Sequence, residues 1–283
     1  FHAGMTNHAQ DESTILVLGA TGKTGGRVMQ RLQARGVPTR AGSRTAQPPF
    51  DWSDPETRAP ALNGVSAVYI TYFPDLAVPG APEAVGELAR LAGEHGVQRL
   101  VLLSGRGEEE AQRSEEVVKQ AGIDWTILRS SWFDQNFSEG FLVDAVVEGV
   151  VALPVDAVRE PFVHADDLAD IAVAALTEDG HAGQLYEVTG PRLLSYAEAV
   201  AEIAAATGRD VRFETISMDE FEGGLAQAGL SDDEAWLVKY LFSEVMDGRN
   251  ESLADGVQRA LGREPRDFAD YTREAAASGV WDA

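Results

Sequence analysis

The sequence predicts an α/β protein built on a Rossmann-type, doubly wound parallel sheet, with a smaller and mostly helical C-terminal part. Three observations predict it. A β-branched apolar run, Thr14 to Leu18, stops at a glycine-rich turn, and a helical pattern follows. Apolar runs of strand length then alternate with helical patterns up to Arg129. The 283 residues are 44% hydrophobic, which is enough for a large buried core.

The strands of the first half are predicted from continuous apolar runs, because a parallel sheet is covered on both faces. They are Thr14 to Leu18, Thr39 to Gly42, a very short third strand ending near Phe50, Ala67 to Thr71 (the fourth), Leu100 to Ser104 (the fifth) and Asp124 to Arg129 (the sixth). Helices are predicted where apolar residues recur at helical spacing and a glycine follows. They are Thr24 to Gly36, Pro82 to Glu94 and Ser114 to Gln120.

The second half is less regular. Predicted short strands are Val150 to Pro154, Gln184 to Thr189 and Val211 to Ile216, and predicted helices are Asp166 to Leu176, Tyr196 to Thr207 and most of the chain from Met218 onward. We therefore predict two parts: an NAD(P)-binding Rossmann domain over residues 5–150, and a substrate-binding region over residues 151–283 that packs on the sheet edge.

Composition excludes several classes of function. The formal net charge of −23 disfavours nucleic acid and anionic membrane as partners. The absence of cysteine excludes disulfides, thiol nucleophiles and cysteine-based metal sites, and the five histidines show no metal-ligand spacing, so no metal is predicted. The excess of arginine over lysine, twenty against three, is typical of a GC-rich bacterial genome. Oligomeric state cannot be read from the sequence.

The N-terminal segment predicts a cytoplasmic protein. Phe1 to Gly4 look like a remnant of an expression vector, and Met5 to Ser13 is too polar for a signal peptide. No run of about eighteen apolar residues follows, so no membrane span is predicted.

The strongest chemical signal is the turn between the first strand and the first helix, Gly19-Ala20-Thr21-Gly22-Lys23-Thr24-Gly25. The spacing G-x-x-G-x-x-G allows a tight turn and close approach of a pyrophosphate, and the helix N-terminus offers free N–H groups to that anion. A P-loop would need glycine where Val17 stands, so nucleoside triphosphate hydrolysis is excluded.

The end of the second strand predicts NADPH rather than NADH. An NAD site usually places a carboxylate there for the ribose 2′-hydroxyl, whereas this stretch is Thr39-Arg40-Ala41-Gly42-Ser43-Arg44. Arg44 and Ser43 are the candidates for a 2′-phosphate, because guanidinium forms charge-assisted hydrogen bonds with phosphate. Arg40 is expected to point away from the site.

Several side chains are candidates for the substrate pocket or for proton transfer. Tyr72 and Phe73 follow the predicted fourth strand, at the edge where open α/β sheets bind ligands. Trp132 and Phe133 are equally consistent with a pocket or with the core. His164 could face the pocket as a proton donor, although a structural role is favoured. Glu108-Glu109-Glu110 is predicted to be a solvated helix start, and Asp166 with Asp167 to be helix caps.

With these residues in view, the chain resembles the NmrA-like family of atypical short-chain dehydrogenases, and within it the NADPH-dependent quinone reductases. The resemblance covers nearly the whole chain. It rests on Gly19 to Gly25, Asp51-Trp52 with Asp54, Leu102 to Ser104, Gly122 to Arg129, Trp132 to Phe137 and Phe162 to Asp167. The segments Gly122 to Arg129 and Trp132 to Phe137 resemble the family signature "G-x-x-x-T-x-L-R … F-x-x-N".

The resemblance implies roles for individual positions. It implies cofactor contacts from the glycine loop, from Arg44, from Thr71 after the fourth strand and from Ser104 after the fifth. The loop contacts are Gly19, Thr21, Gly22, Lys23, Thr24 and Gly25. It also places Phe133 and Asn136 near the nicotinamide and the substrate. Some members of the family hold a lysine near the nicotinamide where this chain has Ala111-Gln112-Arg113, so a substitute role for Arg113 is left open.

The catalytic pair of the classical short-chain dehydrogenases is missing. Tyr-x-x-x-Lys would place tyrosine four residues before Lys23, Lys119 or Lys239, where Gly19, Glu115 and Ala235 stand instead. No general acid is identified, and the only weak catalytic candidates are Tyr72, Asn136 and His164.

Three functional hypotheses follow from these residues. The first is an NADPH-dependent reductase that transfers hydride to a quinone, enone, imine or aryl diazonium, in bacterial secondary metabolism. The alternative is a non-catalytic NADP(H) sensor that regulates a protein partner. A third, an epimerase or dehydratase with tightly held NAD, is disfavoured by the missing Tyr/Lys pair.

Overall fold

The computed structural model describes residues 13–283, so the predictions for the N-terminal segment lie outside the described residues. The strands are β1 (Thr14–Leu18), β2 (Thr39–Gly42), β3 (Val65–Ile70), β4 (Arg99–Gly105), β5 (Asp124–Ser130), β6 (Val150–Leu153), β7 (Arg159–Glu160), β8 (Gln184–Val188), β9 (Leu194–Ser195) and β10 (Arg212–Thr215). The main sheet has the order β2-β1-β3-β4-β5-β8, and all of its neighbouring strands are parallel. The predicted α/β class with a doubly wound parallel sheet is confirmed.

The helices flank this sheet and fill the C-terminal part. They are α1 (Lys23–Ala34), α2 (Arg58–Ala61), α3 (Ala81–Glu94), α4 (Glu109–Lys119), α5 (Val143–Glu148), α6 (Ala165–Thr177), α7 (Tyr196–Thr207), α8 (Met218–Gln227), α9 (Asp232–Tyr240), α10 (Gly256–Leu261) and α11 (Phe268–Ser278). A π turn, Leu241–Val245, continues from the end of α9. Among residues 13–283, no helix combines the length and the apolar character that a membrane crossing requires.

The alternation of side chains along the strands gives the sheet two hydrophobic faces. Leu16 and Leu18 of β1 pack in the cluster that contains α3 and α4, whereas Ile15 and Val17 pack in the cluster that contains α1, α6 and α10. Because all neighbouring strands are parallel, the carboxyl ends of the strands lie at the same edge of the sheet. That edge is where an open α/β sheet binds ligands.

The C-terminal part has its own core and lies across this edge. Strand β6 pairs with β10 in parallel, β7 pairs with β9 antiparallel, and aromatic side chains including Phe137, Tyr196 and Trp281 are buried between them and helices α7 and α11. Strand β8 and helix α6, although they follow residue 150, complete the main sheet and cover one of its faces. The division of the chain at residue 150 stays a proposal.

Two predicted elements differ from the structure. No third strand forms near Phe50: the chain from Ser43 to Asp54 is irregular, and prolines at 48 and 49 cannot donate hydrogen bonds to a neighbouring strand. The helix predicted from Ser114 begins at Glu109 instead. Its first turn is rich in glutamate, which hides the apolar spacing but suits the positive end of a helix dipole.

Candidate active site

The glycine loop is built so tightly that side chains would not fit. Gly19 has φ +60°, and a Cβ there would lie 2.5 Å from Oγ1 of Thr71. A Cβ on Gly25 would lie 2.0 Å from the carbonyl oxygen of Gly19. The amide of Gly22 donates a 2.8 Å hydrogen bond to that same carbonyl oxygen, which closes the turn. The loop therefore has the close-packed backbone that a pyrophosphate site requires.

The start of α1 presents its amides to solvent. Gly22 is the N-cap residue, and no side chain caps the helix. Thr21 and Gly22 are both exposed, so an anion can reach the free N–H groups of the first turn. The residues of the loop therefore fit the phosphates of a dinucleotide.

Two side chains of the loop point elsewhere. The buried Thr24 hydroxyl accepts a 2.8 Å hydrogen bond from the Tyr69 hydroxyl beneath the loop, so only the backbone of Thr24 faces outward. Lys23 is half-buried, and its Nζ donates to Oδ1 of Asn136 over 3.3 Å. Burial lowers the pKa of Lys23. The lysine thereby connects the glycine loop to the predicted nicotinamide side of the site.

The end of β2 lies beside the glycine loop. Leu18 of β1 pairs with Gly42 of β2, so Gly19 and Ser43 leave the sheet at the same level. Ser43 is half-buried and Arg44 is exposed. Arg40 donates 2.7 Å hydrogen bonds to the carbonyls of Ala61 and Asn63, which confirms that it points away from the loop. Arg44 is therefore an exposed guanidinium just after the end of β2, beside the glycine loop.

A cavity of about 290 Å³ opens at the carboxyl ends of β3, β4 and β5. It brings together Lys23, Thr71, Tyr72, Ser104, Trp132, Phe133 and Asn136 of the predicted residues. Its other walls come from the loop after β3, the loop before α4, α9 and the π turn, including Leu76, Glu108, Leu237 and Phe242. Phe73 does not line this cavity, and its side chain is 72% exposed. Most of the wall is apolar, with a few polar groups, as in small-molecule sites.

The aromatic residues of the cavity wall are held by packing. Tyr72 lies against Trp52 with ring centroids 4.9 Å apart, and the Trp52 indole donates a 3.0 Å hydrogen bond to the carbonyl of Thr71. Trp132 lies 5.4 Å from the ring of Phe242. Burial raises the pKa of Tyr72, so its phenol is neutral near pH 7. The segment around Trp52 thus braces the wall, which accounts for its place in the family resemblance.

Ser104 lines the cavity, but its hydroxyl is already engaged. It donates a 2.8 Å hydrogen bond to Glu115 of α4, and Arg129 of β5 donates two more to the same carboxylate over 2.7 and 2.6 Å. Glu115 is fully buried. The three residues form a closed network that fixes the ends of β4 and β5 beneath the cavity.

The structure gives His164 a structural role. Its ring is 4% exposed and caps α6, with Nδ1 accepting a 3.0 Å hydrogen bond from the amide of Asp166. Burial lowers the pKa of His164, so the ring is neutral near pH 7. It lies on a separate cleft lined also by Arg27 and Tyr271, not on the large cavity. His164 therefore cannot deliver a proton to a ligand in the large cavity.

Two further predictions need correction. Asp166 and Asp167 do not cap α6, because His164 occupies the cap; Asp166 pairs with Arg27 at 2.9 Å, and the buried Asp167 pairs with Arg263 at 2.8 Å. Arg113 does not reach the cavity. Its side chain is 70% exposed and pairs with Glu110 of the same helix at 3.3 Å. Arg113 is therefore no substitute for a lysine at the nicotinamide.

The sequence reasoning missed a pair of acids in the cavity wall. Asp75 lies in the loop after β3, and Glu108 lies between β4 and α4; both line the cavity. The prediction that Glu108 is solvated is wrong, since the residue is 5% exposed. Both residues follow the ends of neighbouring parallel strands. This pattern could have predicted their proximity, because the carboxyl ends of parallel strands meet at one edge of the sheet.

Comparison with known proteins places the chain in a family. Residues 19–179, more than half of the chain, match the family model described as NAD(P)H-binding. The NAD(P)H azoreductase of Xenophilus azovorans is 30% identical over 93% of this chain and 98% of its own length. The agroclavine dehydrogenase of Claviceps fusiformis is 30% identical over 95% and 98%.

Solved structures share the whole fold. Triphenylmethane reductase of Citrobacter sp., in complex with NADP(H), has a TM-score of 0.75 at 20% identity and covers 93% of this chain and 99% of its own. The NADPH-dependent quinone oxidoreductase of Escherichia coli, in complex with NADPH, gives 0.73 at 21%, with 92% and 99% covered. NmrA, a negative transcriptional regulator in complex with NADP, gives 0.70 at 17%, with 95% and 98% covered.

At these identities the structural likeness concerns the fold alone, whereas the matched family model and the 30% identical relatives establish membership. The glycine loop, the free helix N-terminus and the cavity at the sheet edge agree with it. The chain belongs to the NAD(P)H-binding family whose model it matches, and it shares the fold of the NmrA-like structures compared above.

Proposed function

We propose that the protein is an NADPH-dependent reductase that transfers hydride to an electrophilic small molecule of the quinone, enone, imine or aryl diazonium type. The observation that carries the proposal is the continuity between the glycine loop and the apolar cavity. Lys23 starts α1 at the loop and also lines the cavity, where its amine contacts Asn136. A dinucleotide held by the loop is therefore within reach of a substrate in the cavity.

Two groups of residues would hold the phosphates of the cofactor. Backbone amides around Gly19, Thr21 and Gly22 suit the pyrophosphate, and Ser43 with Arg44 suits a 2′-phosphate. Thr71 and Ser104 line the cavity beyond the loop. When bound, the reduced nicotinamide supplies a hydride, and the protein supplies position and an environment from which water is excluded.

The preference for NADPH over NADH rests on the end of β2. No carboxylate lies between Thr39 and Arg44 to accept hydrogen bonds from a ribose 2′-hydroxyl. The exposed Arg44 offers a local positive charge in a chain with a net charge of −23. This local charge offsets the repulsion that such a surface exerts on a cofactor with one more phosphate.

The cavity wall favours flat, conjugated substrates. Tyr72, Trp132, Phe133 and Phe242 line it, and aromatic rings pack well against other ring systems. Because the Tyr-x-x-x-Lys pair is absent, an acceptor that is already strongly electrophilic fits this site better than a simple ketone. The cytoplasmic location and the role in bacterial secondary metabolism stay predictions from the sequence.

The test is steady-state oxidation of NADPH and NADH with a panel of quinones, enones and azo compounds. We expect turnover with NADPH, and we expect Arg44→Gln to raise the KM for NADPH by about 10–100-fold while leaving that for NADH unchanged, since a hydrogen bond to a charged group contributes about 1.5–3 kcal/mol. Arg90→Gln, which removes an exposed arginine paired with Glu94 on α3, is the matched control.

The alternative, a non-catalytic NADP(H) sensor, predicts a different result. Tight NADPH binding without turnover of any acceptor would contradict the proposed reductase and support the sensor. An equal effect of Arg44→Gln on NADPH and NADH would contradict the assignment of the 2′-phosphate site.

A further inference from the structure

We propose that Glu108, with Asp75 as its partner, is the proton donor of this active site. The proposal rests on the proposed function, and it deepens it by naming a catalytic acid and the class of acceptor that needs one. The evidence is the position of Glu108 in the cavity wall, the space made for its carboxyl group, and the absence of a cation to neutralise it.

The backbone makes room for the Glu108 carboxyl group. Strand β4 ends at Gly105, and a Cβ on that glycine would lie 1.5 Å from Oε2 of Glu108. The carboxyl group therefore occupies the space that a side chain at position 105 would take, and both residues line the cavity. Oε2 is buried and receives no hydrogen bond from any donor of the described residues. An unpartnered polar atom at the wall of a cavity is positioned to bond a ligand.

No basic group of the cavity neutralises the pair. Lys23 donates to Asn136, and Arg106 donates to the carbonyls of Asn250 and Ser252 over 3.1 and 2.8 Å. The partner within hydrogen-bonding reach of Glu108 is another carboxyl group, that of Asp75. Two neighbouring buried carboxyl groups without a cation resist ionising together, so the pair retains a proton.

The surroundings assign that proton to Glu108. Burial, and after it the charge of Asp75, raise the pKa of Glu108 well above its usual range, and Glu115 of α4 adds to the effect. Burial raises the pKa of Asp75 too, but a 2.8 Å hydrogen bond from the amide of Ala77 to its Oδ1, together with Glu108, acts to lower it. Tyr240 of α9 also faces the pair, and its own pKa is raised by burial and by Glu108.

The proton completes the reduction of a conjugated carbonyl compound. A bound reduced nicotinamide would supply the hydride, with its electron pair, to the electrophilic carbon, and would be oxidised as the substrate is reduced. The O–H bond of Glu108 breaks as a new O–H bond forms on the substrate oxygen. The pair then takes up a proton from water through Asp75, the more exposed of the two. Quinones and enones need this proton, whereas a cationic acceptor is neutralised by hydride alone.

The experiment compares Glu108→Gln with Glu109→Gln, a matched control at the neighbouring exposed position. With a quinone as acceptor, we expect Glu108→Gln to lower kcat by about 10²–10⁴-fold, the usual contribution of a general acid, with little change in KM. With a cationic triarylmethane dye as acceptor, we expect kcat to stay within about threefold, because that reaction consumes no proton. Glu109→Gln should resemble the wild-type protein with both acceptors.

A second readout needs no turnover. Infrared difference spectra between the wild-type protein and Glu108→Gln, both labelled with ¹³C-glutamate, should show at pH 7 the loss of the carbonyl stretch of one protonated carboxyl group. A remaining band is expected from Glu160, whose pKa burial raises to about 8. Absence of any such band in the wild-type protein, or identical bands in the two proteins, would overturn the proposal. So would an equal loss of kcat with both acceptors, which would indicate a damaged site or a carboxylate that binds cations.

Failure of the proposed function is separable from failure of this inference. If the wild-type protein reduces no acceptor of the panel, the reductase proposal and the donor role fail together. If the wild-type protein reduces quinones and Glu108→Gln does so equally well, the donor role alone is wrong.

Discussion

Helix α4 buries one glutamate at its N-cap and another in its middle, in opposite surroundings. Glu115, in the middle of the helix, is fully buried and receives hydrogen bonds from Arg129 and Ser104. Glu108, at the N-cap, is 5% exposed, lines the cavity and has another carboxyl group, that of Asp75, as its nearest charged partner among the described residues. The first carboxylate has a cation as its partner, and the second has an acid.

This difference distinguishes a structural glutamate from one that can take part in a reaction. A buried carboxylate with a bidentate arginine is compensated, so it keeps its charge and holds its neighbours in place. A buried carboxyl group without a cation keeps its proton instead, and a proton held at a cavity wall can be given to a ligand. The partner of each glutamate, rather than its burial, therefore determines its role.

The largest effect is expected from removing Arg129, the partner of Glu115. Arg129→Met leaves the Glu115 carboxylate buried without its cation, so we expect the free energy of unfolding to fall by about 3–5 kcal/mol. Urea denaturation at pH 7 measures it. Arg113→Met is the control: that exposed arginine pairs with Glu110 on the same helix, and its loss should cost under about 1 kcal/mol. Equal losses in the two variants would refute the distinction between the buried and the exposed pair.

Replacing each glutamate with glutamine should have a smaller effect on the free energy of unfolding, of opposite sign at Glu108 and at Glu115. At pH 8, Glu115→Gln should destabilise the protein by about 1–3 kcal/mol, because the arginine loses its charged partner. Glu108→Gln should stabilise it, because an amide carries no ionisation penalty. Denaturation curves of both variants and the wild-type protein at pH 5 and pH 8 give the comparison.

The pH dependence at Glu108 follows from proton linkage. Because burial and Asp75 raise the pKa of Glu108 in the folded protein, the folded state binds more protons than the unfolded state above the unfolded pKa of about 4.3. The contribution of Glu108 to stability is therefore most favourable at low pH and falls as the pH rises towards the folded pKa. The stability of Glu108→Gln relative to the wild-type protein should therefore be higher at pH 8 than at pH 5. A constant difference between the two proteins across this range would contradict the raised pKa.

The smallest effect is expected from Gly105→Ala. The added Cβ would overlap Oε2 of Glu108, the end of a flexible side chain that can turn away. We expect a stability change within about 1–2 kcal/mol, and a loss of quinone turnover smaller than that of Glu108→Gln. Thermal unfolding and steady-state rates measure the two effects. Unchanged turnover would show that the position of the Glu108 carboxyl group is unimportant for the reaction.

The sequence predicted the parts of the site that lie on one short segment. Gly19, Gly22 and Gly25 follow a buried strand and precede a helix, so local patterns were enough to identify the loop. The end of β2 was also local: Ser43 leaves the sheet level with Gly19 because two adjacent parallel strands pair in register. Most of the predicted pocket residues line the cavity for the same reason, since they follow strand ends.

The sequence could not predict the parts that depend on partners distant in the chain. A run of three glutamates at a helix start looks solvated, and only the approach of the loop after β3 and of α9 buries Glu108. For His164 the sequence favoured a structural role without saying which, and the structure shows that its ring caps α6. Arg113 and Phe73 lie close in sequence to cavity residues but point to solvent, because one helical turn or one loop position reverses the direction of a side chain.

We infer above all that hydride passes directly from a nicotinamide bound at the glycine loop to a substrate in the adjoining cavity. The most direct measurement is reduction of an enone with NADPH carrying deuterium on one or the other face of C4, followed by mass spectrometry and NMR of the product. We predict that one of the two labelled cofactors, and only one, places a single deuterium on the β-carbon of the enone, while the second hydrogen comes from solvent. A reduced product without deuterium from either cofactor would contradict the account.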